Sequence, residues 1–103
     1  MDELITIEVR IFATLRDILG LKKFPMHIKA GSTIRDLLHT IQQVFDKGKE
    51  FIKEVSDPED LNRIRDHVKF MINGIILFQD KILDTTIHKD GDVIAIFPPI
   101  GGG

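Results

Sequence analysis

The sequence contains no cysteine. That absence removes disulfide frameworks, thiolate metal sites, iron–sulfur clusters and cysteine nucleophiles together. It also lacks a dominant charge: 14 Lys and Arg stand against 16 Asp and Glu, a formal net charge of −2. The two signs are interleaved, as in Lys49-Glu50 and Arg65-Asp66. No stripe of the kind a general nucleic-acid binder carries is visible, so no nucleic-acid partner is expected. No apolar run approaches the length of a membrane span. The opening MDELITIEVR has neither the basic nor the apolar region of a signal peptide. The expectation is a cytoplasmic protein with no membrane partner.

What is present fits one domain. A chain of 103 residues is long enough to bury a core without disulfides or metals. Residues 4–12, LITIEVRIF, alternate with Ile5, Ile7, Val9 and Ile11 on one side, which predicts a strand with one buried face. Residues 13–20 predict a short helical turn stopped by Gly20. Residues 23–30 alternate again, with Phe24, Met26 and Ile28 on one side; Pro25 cannot donate to a ladder and confines this strand to an edge.

The clearest helix follows Gly31-Ser32-Thr33. Ile34, Leu37, Leu38, Ile41, Val44 and Phe45 form one apolar stripe. Thr33 and Asp36 have capping-box spacing, and Gly48 reads as the C-cap. Residues 49–67 read as a charged helical excursion, with a fresh helix start at Asp57-Pro58-Glu59-Asp60. Its short stripes (Phe51, Ile52 and Val55, then Leu61 and Ile64) predict packing at the domain edge. Two apolar runs in 68–78 flank Asn73-Gly74, a hairpin signal. Residues 93–97, VIAIF, are apolar on both sides and predict a central strand. The order ββαβββ is an α+β fold: a mixed sheet of about five strands on one main helix.

Catalytic motifs do not assemble. His27, His39, His67 and His88 lack metal-ligand spacing, and no metal site is expected. Glu59-Asp60 and Asp90-Gly91-Asp92 sit where capping and turn chemistry use carboxylates. General acid–base work needs two groups converging in a cleft, and the aspartate turn lacks the further oxygens of a calcium loop. The glycines of the closing FPPIGGG follow a strand but open no helix and precede no lysine, so they do not form a phosphate loop. A glycine run can instead enter a slot too narrow for any side chain. Pro98 and Pro99 fix φ at its root. The pattern suits a stem that presents the α-carboxylate of Gly103 to another protein's active site. The competing reading is a frayed terminus.

The segments VRIFATLRDILG, INGIILFQDKILDTTIHKDGDVIAIF and FPPIGGG resemble the MoaD/ThiS sulfur carriers, which are ubiquitin-like β-grasp proteins. The resemblance covers nearly the whole chain apart from residues 47–67. It implies a β-grasp domain over residues 1–97 and a flexible C-terminal tail over 98–103. It implies that an E1-like adenylyltransferase uses ATP to adenylate Gly103, that sulfur then replaces AMP to give a thiocarboxylate, and that the tail docks into the large subunit of molybdopterin synthase. Gly101 and Gly102 would present the reacting carboxylate, and no cofactor would be bound. Phe97 and Ile100 flank the tail's exit and Phe12 matches an aromatic position of the family; with Pro98 and Pro99 they are the expected partner contacts. Gly101 makes a triple glycine where many relatives have another residue. Three alternatives stay open: a modifier joined through Gly103 to lysines of target proteins, a carrier for thiamine or tRNA thiolation, and a β-grasp interaction module with an inert tail. A β-grasp ferredoxin is excluded by the missing cysteines.

Overall fold

A computed structural model of the chain describes residues 3–98, Leu61 by its backbone only. The alternating opening forms β1 (Leu4–Ile11), with Ile5, Ile7, Val9 and Ile11 buried. A short helix, α1 (Thr14–Leu19), ends at Gly20 with φ 74°, a left-handed position that glycine adopts without steric cost. β2 (Lys23–Lys29) runs antiparallel to β1 and lies at the sheet edge, with Pro25 opposite Glu8.

β3 (Ser32–Thr33) leads into α2 (Ile34–Val44), whose capping box is complete. The Asp36 amide donates to Thr33 Oγ1 at 3.2 Å and the Thr33 amide to Asp36 Oδ2 at 3.0 Å. Gly48 is not its C-cap. Phe45 closes α2 in an extended conformation, and Gly48 is the first residue of α3 (Gly48–Val55). A Cβ on Gly48 would lie 2.5 Å from the Gln42 carbonyl oxygen. The glycine is needed because one helix starts against the last turn of another.

The expected helix start at residues 57–60 is also corrected. Here β4 (Ser56–Asp57) and β5 (Asp60–Ile64) form a small antiparallel hairpin. The Glu59 amide donates to Asp57 Oδ1 at 2.8 Å and the Asn62 amide to Asp60 Oδ1 at 2.9 Å. Such local side-chain bonds favour turns over helix. Nor is the segment peripheral: Phe51, Val55 and Ile64 are buried within the hydrophobic core.

β6 (Lys69–Ile72) and β7 (Ile75–Ile76) form the hairpin around Asn73-Gly74, with φ 50° and 82° at the two turn residues. After a 3₁₀ turn at Gln79–Lys81, β8 (Thr86–Ile87) pairs with β3. β9 (Val93–Phe97) is the central strand of a five-stranded sheet ordered β2-β1-β9-β6-β7, parallel to β1 and antiparallel to β6. Ile94 and Ile96 join the core with residues of α2 and α3. The opposite sheet face is left uncovered by the helices.

Candidate functional site

The site begins where the two parallel central strands end together. The register sets Ile11 beside Ile96, so the next residues, Phe12 and Phe97, meet. Their rings stack with centroids 4.2 Å apart and planes 11° from parallel, an attractive geometry when the rings are offset. The Arg16 guanidinium lies 4.8 Å from the Phe12 ring centroid, within cation–π range. Its Nε donates to the Ile11 carbonyl at 2.7 Å, fixing the side chain over the ring. Phe12 and Phe97 are half-buried, and Pro98 is buried.

His67, Lys69, Phe97 and Pro98 line an open hollow of about 280 Å³ beside this root. His67 has φ 71°, and the Lys69 ammonium donates to Gln79 Oε1 at 3.4 Å. Thus the structure brings Phe12, Phe97 and Pro98 to one end of the sheet. Pro99, Ile100, Gly101, Gly102 and Gly103 lie outside the described residues.

The remaining polar groups serve the fold. Asp92 is buried, accepting from Asn73 Nδ2 at 2.9 Å and from the Lys89 amide at 3.1 Å. Asp90 accepts from the Thr6 amide at 2.8 Å. His27 is paired with Thr6, His39 with Gln43 and His88 with Thr86. Among the described residues, no three His, Asp or Glu side chains stand together as a metal site. Glu8 accepts a hydrogen bond from Arg10, which holds its carboxyl below the usual glutamate range. Desolvation opposes that shift, and the positive charges of Arg10 and Lys23 reinforce it.

Sequence reading missed Arg16, because nothing in helical spacing shows that its guanidinium reaches back over Phe12. It also missed the outer residues of β6 and β9, whose apolar content read only as burial on both faces.

The model of the ThiS family matches residues 9–103. The chain belongs to the ThiS family. It is 28% identical over 97 residues to small archaeal modifier protein 3 of Haloferax volcanii, covering 94% of this chain and 98% of that protein. A Pyrococcus furiosus protein assigned as molybdopterin converting factor, subunit 1, superposes with a TM-score of 0.66 at 25% identity, over 93% of this chain and 99% of that one. Urm1 of Trypanosoma brucei superposes with a TM-score of 0.70 at 15% identity over the whole of both chains, a likeness of fold. This member of the ThiS family therefore has the expected ubiquitin-like fold, with a mixed five-stranded sheet and, among the described residues, three α-helices. Among those residues, no helix is long and apolar enough to cross a membrane.

Proposed function

We propose that the protein is a sulfur carrier whose reacting group is the carboxylate of Gly103, and that it supplies sulfur for molybdopterin synthesis. In this reading an E1-like enzyme positions the carboxylate against ATP. A carboxylate oxygen attacks the α-phosphorus and pyrophosphate leaves. A sulfur nucleophile then attacks the acyl carbon and expels AMP, leaving a thiocarboxylate. The tail next enters the large subunit of molybdopterin synthase, which passes the sulfur to a pterin precursor.

The observation that carries the reading is the family match, which runs through the terminal glycines to residue 103. The aromatic stack at the root of the tail supports it, since it offers a partner a fixed apolar surface from which the tail departs. The absence of cysteine means that the sulfur cannot ride on this chain as a persulfide. The likeness to a molybdopterin converting factor subunit supports the pterin pathway.

The likeness to a small archaeal modifier protein favours a second reading, in which the activated Gly103 is joined to lysines of other proteins. Intact-mass analysis after incubation with the E1-like enzyme, ATP and a sulfur donor tests the first reading: replacement of one carboxyl oxygen by sulfur adds about 16 Da. Lysine adducts formed in place of that product would favour the modifier.

A further inference from the structure

The signs that interleave along the chain are segregated by the fold. Residues opposite each other on paired strands share a sheet face. On the outer face, the register places Lys23 beside Arg10, Arg10 beside Ala95, Ala95 beside Met71 and Met71 beside Ile76. The row next to it sets Phe97 beside Lys69, with Phe12 stacked on Phe97. Among the described strand positions of this face, the cations are Arg10, Lys23, Lys29 and Lys69, and the only acid is Glu8. Glu8 is already engaged by Arg10, and Arg16 adds a further cation over the stack. A chain of formal net charge −2 thus carries one positive face, and its centre is apolar: Ala95 and Met71 are half-buried and Ile76 is exposed.

We infer that this face docks an acidic protein surface: an apolar patch of the activating enzyme, bordered by carboxylates that meet Lys23, Lys69 and Arg16. The inference rests on the carrier reading and adds to it the chemistry of the partner. Charge complementarity selects this occupant. A second copy stacked face to face would set cations against cations. A nucleic-acid strand is disfavoured because the middle of the face is aliphatic and one Phe12 face is covered by Arg16, leaving few open rings on which bases could stack. Complementary charge of this kind acts chiefly on encounter, raising association rates in a salt-dependent way.

The test is stopped-flow association of the full-length protein with the E1-like enzyme, together with pyrophosphate exchange at saturating carrier. The double variant Lys23→Glu/Lys69→Glu is compared with Lys49→Glu/Lys53→Glu, an equal charge change on exposed positions of α3, away from the outer face. The first should associate about tenfold more slowly at low salt, with a flatter salt dependence and unchanged exchange at saturation. The second should associate much as the wild type does. Equal rates for the two variants would overturn the docking face while leaving the carrier reading intact, because the wild type would still support exchange. Absence of exchange in the wild type would remove the carrier reading and the docking inference with it. Tight binding of a single-stranded oligonucleotide, abolished by Lys23→Glu/Lys69→Glu, would assign the face to nucleic acid and overturn the inference.

Discussion

Phe12 and Phe97 are 85 positions apart in sequence and stack at 4.2 Å because β1 and β9 are parallel neighbours that end in register. The contact joins the opening strand to the residue from which the tail departs. Partner recognition and tail position are thereby tied to the rigid centre of the sheet, as preorganised docking requires.

Phe97→Ala removes that stack but not the core beneath it. The loss should be modest, about 0.5–1.5 kcal/mol for the ring pair plus a small burial contribution, so the domain stays folded by circular dichroism. Binding to the activating enzyme should weaken by at least several-fold. Global unfolding of the variant would place Phe97 among the core residues and remove it from the docking surface.

Phe51→Ala should act in the opposite way. Phe51 is among the largest fully buried side chains, and truncating such a residue typically costs about 3–5 kcal/mol. Denaturant unfolding should show a large drop in midpoint, and replacing residues 49–67 by a short loop should prevent folding. A loop variant of near-wild-type stability would show that the insertion is dispensable to the core.

The Asn73-Gly74 turn is held from its side chain. Asn73 Nδ2 donates to Asp92 at 2.9 Å, and Oδ1 accepts from the Val93 amide at 2.9 Å. Asn73→Gly keeps the positive φ available and deletes both bonds. It should therefore destabilise the protein by about 1–3 kcal/mol, whereas a turn held by backbone conformation alone would lose nothing. Thermal or urea unfolding distinguishes the two.

Glu8 provides a pH prediction. The Arg10 hydrogen bond lowers its pKa in the folded state, so ionised Glu8 favours folding. That contribution is present above the unfolded pKa and fades as pH falls through the lower folded value. NMR titration should find the Glu8 midpoint below the ordinary glutamate value, and Arg10→Ala should raise it. An unchanged midpoint in the variant would show that Arg10 is not the cause.

The periodicities carried most of the fold into view. Period-two alternation located β1 and β2, Asn73-Gly74 located the hairpin, and the Thr33–Asp36 spacing located the start of α2. Gly48 misled because a glycine after an apolar stripe has the form of a C-cap, while its close approach to Gln42 exists only in three dimensions. Residues 57–60 misled because Pro58 suits a first helical turn, yet the Asp57 and Asp60 side chains bond the backbone into turns. At the candidate site, Phe12 and Phe97 were legible from the family pattern. The cationic outer face was not, since Lys23, Arg10 and Lys69 become neighbours of one apolar centre only through strand order and register.

The central claim is that Gly103 carries the reacting carboxylate. Small displacements of a reacting atom can cost on the order of a hundredfold in rate. Deleting Gly103 leaves a glycine pair but shortens the reach by about 3.5 Å; adding one alanine after it moves the carboxylate outward and adds a Cβ. Pyrophosphate exchange with the E1-like enzyme is the decisive measurement. Both variants should fold as the wild type does and lose exchange; full exchange by the alanine-extended protein would contradict the account.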